Sequence, residues 1–275
     1  MLRGEERERS KDDAELVDKY EFFLAYKDEF YKHLLKKAVS KAELDTYAYK
    51  PNGYNPSNPK YVVAISTSNG TGSYPVALAL DCEMCATSLG DEVTRVTVVD
   101  QKCSVVYDSL VWTEAPIIDY KTNKSGITEE MLLNGPTKQL SEVHDDLLNL
   151  IKSDTILIGH GVDNDLRVLK MHHDLLVDTS VEFRDTTEVS FVKRRSLKHL
   201  AYEYLHKVIQ NSEGGHDSAE DAKTCIELLK VQFQIDALNR QRASSSISGP
   251  VRQRAMNTYA AVLLNGCSKR SERIN

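Results

Sequence analysis

The sequence predicts an α/β domain built on a mixed sheet, antiparallel strands first and parallel strands afterwards, with helices packed against it. Three observations lead there. Strand-like apolar runs at Val76–Leu80, Arg95–Val99 and Val105–Val111 follow one another with short polar turns between them, the spacing of an antiparallel meander. From Gln139 onward, segments of helical period alternate with short buried-strand runs, the pattern of parallel strands joined by helical crossovers. A composition of 41% hydrophobic and 28% charged residues over 275 positions suits a globular chain.

Taken in order, Leu16, Tyr20, Phe23, Phe30, Leu34 and Ala38 recur at helical spacing, and Ser10 with Asp13 resembles a capping box, so one or two amphipathic helices are expected from Ser10 to about Val39. The segments PNGYNPSNP (51–59) and STSNGTGSYP (66–75) read as loop on either side of a short strand, Tyr61–Ile65. The main domain begins near Tyr74. After the meander come a helix over Gln139–Ile151, a buried strand over Thr155–Gly159 and a helix from about Asp163 to Met171. A short strand, Leu175–Asp178, a helix near Leu197–Tyr204 and a long helix from Ser218 to about Gln234 complete it. Beyond Asp236, QRASSSISGP reads as a serine-rich linker before a short helix, Met256–Leu264. The expected division is 1–73 as a helical extension and loop, 74–235 as the main domain and 236–275 as linker and tail.

Bulk properties narrow the function classes. No apolar run approaches the ~20 residues that span a bilayer, and MLRGEERERSKDD lacks the apolar centre of a signal peptide, so an intracellular protein with no membrane partner is expected. Five scattered cysteines do not form a disulfide framework and are expected as thiols. A net charge of −6 argues against coating nucleic acid by bulk positive charge, while leaving room for a local basic groove.

Chemistry concentrates in the carboxylates. Asp81 and Glu83 follow a buried strand, and residues two apart on an extended chain point to the same side. Like charges so placed push one another towards protonation, a penalty that a divalent cation removes. Asp165 opens the helix after TILIG, and Asp221 lies in the first turns of the long helix, which Asp217 and Glu220 can cap. Taken singly, Asp165 and Asp221 read as helix-start acids. Together, four acids on three elements suit two Mg²⁺ ions about 3.5 to 4 Å apart, which activate a water and stabilise the leaving oxygen of a phosphodiester. His216, with Gly214 and Gly215 before it as a mobile entry, can supply the general base.

At this point the residues resemble a known family, the DEDDh 3′-to-5′ exonucleases, and within them the eukaryotic RNA exonuclease (Rex) group. The resemblance runs from about Val76 to Val231 and rests on ALDCEMC, VTRVTVVD, the DY…SGIT stretch at Asp119–Thr128, TILIGH…NDL, VDTS, KRRSLKHLAYEYL and HDSAEDA in that order. It implies an RNase H-like fold that uses Mg²⁺ or Mn²⁺ to release nucleoside 5′-monophosphates from an RNA with a free 3′ end, and a nuclear location. Carried over position by position, Asp81 and Glu83 resemble the first-motif ligands, Asp165 the second-motif acid, Asp221 the last acid and His216 the general base. The resemblance also lays Cys82 and Met84 against the terminal nucleotide. Asp163 competes for the second-motif role, but Asp165 follows Asn164 in the family's Asn-Asp order.

Other features keep two readings. Cys82 and Cys85 form a CxxC without a second ligand pair, so their overlap with the acidic motif explains them better than zinc or redox chemistry does. The basic segment Lys193-Arg194-Arg195, with Lys198 and His199, either holds a phosphate backbone, making Arg195 a substrate contact, or is a solvated loop. Tyr107, Tyr202 and Tyr204 read as core or surface positions. A DNA exonuclease and a non-catalytic RNA-binding scaffold stand as the alternative functions.

Overall fold

A computed structural model describes residues 27–40, 43–44, 62–64, 77–184, 194–212 and 214–244. Strands β2 (Ala77–Thr87), β3 (Gly90–Asp100) and β4 (Val105–Val111) form the antiparallel meander. On the other side of β2 lie β7 (Ile156–Gly159) and β9 (Leu176–Asp178), both parallel. With β6 (Thr137–Lys138) at one edge the order is β6-β4-β3-β2-β7-β9, and β5 (Ile117–Asp119) pairs with the far end of β2. The mixed sheet, antiparallel before parallel, is the predicted one. A separate two-strand pair joins β1 (Val62–Val63) to β8 (Met171–His172).

The sheet divides the core. One layer gathers Leu78, Leu80, Cys82, Val96 and Val98 with Leu147 and Ile151 from α4 (Leu140–Leu150) and its end, and with Leu166 of α5 (Val162–Val168). The other gathers Ala77, Ala79, Val99 and Ile158 beneath α7 (Leu197–Leu205) and α8 (Ser218–Ser244). Three short helices, α2 (Thr122–Ser125), α3 (Glu129–Asn134) and α6 (Thr179–Glu182), fill the connections. Helix α1 (Lys27–Lys36) buries Phe30 and Leu34 in this second layer, and Phe30 meets Phe233 of α8 edge-on at 5.5 Å.

Several boundaries differ from those predicted. Strand β2 does not end at Leu80: it runs through the acids to Thr87 because β3 pairs with it along its whole length. Gly90, at φ +104°, closes the hairpin at Ser88-Leu89, so SLGDE is only partly turn. Helix α5 stops at Val168 because Lys170 takes a left-handed φ of +49°, which releases Met171 into β8. Helix α8 continues ten residues past Gln234, since no Gly or Pro interrupts the chain before Gly249, so the first part of the expected linker is helical. The expected capping box at Ser10 and the helix at 256–264 fall outside the described residues.

Candidate active site

The alternation of β2 decides what each of its residues meets. Ala77 and Ala79 lie in the layer under α8, so Asp81 and Glu83, continuing the same parity, face that helix too. Strand β7 pairs with β2 only from Ala77 to Ala79 and then turns into α5. The acids therefore stand just past the carboxyl end of the parallel neighbour, the place where open α/β sheets carry their ligands. The alanines keep the surface low, so Ala222 and Cys225 of α8 pack in the same layer and Asp221 is delivered to the edge beside them. A 2.7 Å hydrogen bond between the hydroxyls of Thr97 and Ser218 fixes the start of α8 to β3, and Thr97 is the ladder partner of Asp81.

Asp165 comes from the opposite side on α5, 5% exposed, its Oδ1 accepting the backbone N–H of Cys82 at 3.1 Å. Asp163 is turned elsewhere, into a 2.8 Å ion pair with Arg194. Geometry thus separates the two aspartates as the Asn-Asp order does. At the head of α8, Asp217 caps by accepting the Ala219 N–H at 2.9 Å. Glu220 does not complete a capping box; it accepts the N–H of Gln210 at 3.1 Å.

The field at this cluster is strongly negative. Burial, then the charges of Asp165, Asp221 and Glu83, hold the Asp81 carboxyl well above the usual range. Burial and Asp221 push Glu83 to about 8, with Arg95 opposing. Asp165 also rises to about 8 by burial, against the Cys82 hydrogen bond, and Asp221 to about 6, against a 2.7 Å bond donated by Gln210 Nε2. Glu83 and Asp221 are 6% and 4% exposed, yet Glu83 Oε1 and Asp221 Oδ1 have no hydrogen-bond partner. Buried polar atoms are nearly always satisfied, so two bare carboxylate oxygens beside mutually repelling acids fit a cationic ligand. Among the described residues no three His, Cys, Asp or Glu side chains close on a point by themselves. A hard cation such as Mg²⁺ suits that openness, because it keeps waters and takes the remaining oxygens from a phosphate.

His216 lies at the rim, its Nδ1 3.9 Å from Asp221 Oδ2. Burial, with Lys198 and Lys124 nearby, lowers its proton affinity and favours the neutral ring. The two glycines before it do not make the mobile entry expected from sequence. Gly215, at φ +94°, lies so close to Gly126 that a Cβ there would stand 2.3 Å from its nitrogen, and the His216 N–H donates to the Lys124 carbonyl at 2.7 Å. The close approach, impossible with a side chain on either residue, clasps the histidine loop to α2. SGIT thereby acquires a physical role.

The three expected substrate contacts are placed unequally. Cys82 turns its side chain into the core on the face opposite Asp81 and Glu83, against Asp165, to which it also offers its backbone N–H. Met84 is partly buried against that same core layer. Arg195 pairs with Glu203 and lies 5.9 Å over the Tyr204 ring, so its contacts run along α7. Residues that the sequence did not single out are Gln210, which orders Asp221, and Arg95, which faces Glu83 across the ladder. Neither stands in a recognisable spacing; only pairing register and loop closure bring them in. Cys82, Cys85, Cys103 and Cys225 are free thiols.

Comparison with known proteins gives a consistent neighbourhood. Residues 78–229 match the family described as Exonuclease, RNase_T. The chain is 47% identical over 155 residues to RNA exonuclease 1 of Saccharomyces cerevisiae, covering 56% of this chain and 27% of that protein. It is 38% identical over 198 residues to RNA exonuclease 5 of Bos taurus, covering 72% and 24%. The chain therefore spans about a quarter of the length of these curated relatives. Among solved structures, the Neurospora crassa Pan2 catalytic unit (protease and nuclease domain) superposes with TM-score 0.54 at 22% identity, over 75% of this chain and 36% of that one. A Saccharomyces cerevisiae Pan2 module solved with AAGGA RNA gives 0.51 at 22% identity, over 70% and 35%. At such identity these structures establish the fold, which is RNase H-like as expected.

Proposed function

The chain belongs to the exonuclease family, with the RNA exonuclease (Rex) group of DEDD exonucleases as its relatives, and from that premise we propose that it is a divalent-metal-dependent 3′-to-5′ exoribonuclease releasing nucleoside 5′-monophosphates. The observation that carries this is the pair of bare, buried carboxylate oxygens on Glu83 and Asp221 within a cluster of mutually repelling acids. Relatives named as RNA exonucleases support RNA as the substrate.

In this reading Asp81, Glu83, Asp165 and Asp221 hold two Mg²⁺ or Mn²⁺ ions. When bound, the ions supply activation of a water and stabilisation of charge on the leaving 3′ oxygen. The protein does the rest. Cys82 N–H fixes the direction of Asp165, and Gln210 fixes Asp221. His216 accepts the proton that the attacking water gives up; its ring is kept neutral by burial and by two nearby lysines, and its backbone is clasped by Lys124. The leaving oxygen belongs to the shortened strand, which keeps a 3′ hydroxyl and can be cut again.

A time course on 5′-labelled single-stranded RNA tests the reading, with Mg²⁺, with EDTA, with Asp81→Ala, and beside the same sequence as DNA. A ladder shortening from the 3′ end, dependent on metal, absent in the variant and faster on RNA, is the expected outcome. Faster degradation of the DNA would make the protein a DNA exonuclease. Binding without shortening would make it a scaffold.

A further inference from the structure

The acids pose a problem for a polyanionic substrate. Asp81, Glu83, Asp165, Asp221, Asp217 and Glu220 surround the site of a chain whose net charge is −6. Of the basic residues near the loop before α7, Arg194 is paired with Asp163 and Arg195 with Glu203. Lys198 and Lys124 are disposed differently. Both are exposed, and they come from the two walls that meet at His216.

Each is anchored to the site through backbone. The Lys124 carbonyl accepts the His216 N–H at 2.7 Å. The Lys198 ammonium donates at 3.1 Å to the carbonyl of Gln210, whose side chain donates at 2.7 Å to Asp221. One turn beyond Lys198 on α7, Tyr202 is 66% exposed, whereas Tyr204 is packed edge-on against Phe183 at 5.0 Å. Residues i and i+4 share a helix face. Two cations at the rim and an aromatic ring one turn further on are what a single strand needs: charge for its phosphates and a flat surface for a base.

Resting on the RNA-cleaving reading above, we propose that Lys124 and Lys198 form a two-walled phosphate clamp at the mouth of the site, and that Tyr202 stacks a base of the incoming single strand. The clamp binds the strand outside the acids and brings its 3′ end to them. It gives the chain an RNA-facing strip, along α7 and across to α2, in place of a broad basic surface.

The test is equilibrium binding of a fluorescent single-stranded RNA to protein carrying Asp81→Ala, in Mg²⁺ over a range of salt. Adding Lys124→Ala with Lys198→Ala should weaken binding about tenfold and flatten the slope of log affinity against log salt by about 1.4, roughly 0.7 for each phosphate no longer neutralised. Arginines at both positions should restore the slope. Tyr202→Ala should weaken binding at least about fivefold without changing the slope, and Tyr202→Phe should not. Lys32→Ala with Lys36→Ala on α1 makes the same change in net charge and serves as control. Equal slopes for the clamp and control variants, or an Ala at 202 that binds like Tyr, would overturn the proposal. Wild-type protein assayed on the same RNA separates the two readings. If it fails to cut while the clamp variants lose binding, the nuclease reading falls and the RNA-facing strip stands. If it cuts and the clamp variants bind unchanged, the reverse holds.

Discussion

Glu83 and Arg95 face one another across the β2–β3 ladder, and the guanidinium works against the burial and the neighbouring acids that raise the Glu83 carboxyl. Arg95 is itself held by two hydrogen bonds to Asp108, at 2.8 and 2.7 Å, and Asp108 also accepts from Thr97 at 3.1 Å. Thr97 in turn bonds the first residue of α8. One chain of contacts therefore links the electrostatics of Glu83 to the placement of Asp221.

Removing the guanidinium should raise the proton affinity of Glu83 further. A carboxyl must be ionised to hold a cation, so Arg95→Ala should lose activity at a higher pH as the medium is acidified, by about half to one unit. The same loss of positive potential favours a dication, so above pH 8 its half-saturating Mg²⁺ concentration should fall about threefold. Rate profiles from pH 5.5 to 9 at several Mg²⁺ concentrations check this; superimposable profiles would show that Arg95 does not act on the site.

The metal-free fold should weaken with rising pH. Glu83 and Asp165 hold protons to about 8 and Asp221 to about 6, above their ordinary ranges. A raised folded-state pKa contributes stability that is complete below the unfolded pKa and lost as pH climbs through the folded one. In EDTA the melting temperature should therefore fall from about pH 4.5 to about 8, more steeply below pH 6 where Asp221 also contributes, and Mg²⁺ should restore most of the loss at pH 8.5 by binding the folded state. A flat melting profile in EDTA would contradict it.

Neutralising one acid should separate stability from activity. Asp81→Asn removes a charge that Glu83, Asp165 and Asp221 all oppose. Scanning calorimetry in EDTA at pH 8 should show it melting about 2 to 4 °C above wild type. The same variant should be inactive on RNA, and a lower melting point would mean that Asp81 contributes more by packing than it costs by charge.

Two glycines at positive φ offer a contrast. Gly215 has no room for a Cβ, whereas nothing lies within 4 Å of one at Gly90. Both alanine variants face backbone strain of about 1 to 2 kcal/mol. Gly215→Ala must also part the clasp that sets His216, so its kcat should fall at least about tenfold, while Gly90→Ala should melt earlier with kcat near wild type. Matching kcat values for the two variants would remove the clasp from the mechanism.

Periodicity made the sheet legible. The runs at Val76, Arg95 and Val105 follow one another closely, and alternation placed Asp81 and Glu83 on one face without further information. The long helix was legible at its start, where Asp217 and Ser218 carry capping chemistry, but not at its end, where polar and apolar residues continue without a breaker. The short pieces β5, β6, β8 and α2 escaped: elements of two to four residues have no period, and β7 and β9 were found only by the apolar runs at Thr155–Gly159 and Leu175–Asp178. What sequence could not give was close approach. Gly126 and Gly215 lie far apart along the chain, and only the fold shows that neither can bear a side chain. Likewise, Arg194 and Arg195 read alike in a basic run, yet one is paired with Asp163 and the other with Glu203.

The wide separation of the acids along the chain has a consequence for synthesis. Asp81 and Glu83 emerge early, on a strand that can form its hairpin with β3 at once, but Asp221 follows on the order of ten seconds later at ordinary elongation rates. Until α8 has left the ribosome and settled on Ala77 and Ala79, the nascent protein holds only part of its ligand set. In the proposed reaction the four carboxylates come together only once α8 docks, so the order of the elements sets when the ligand set is complete.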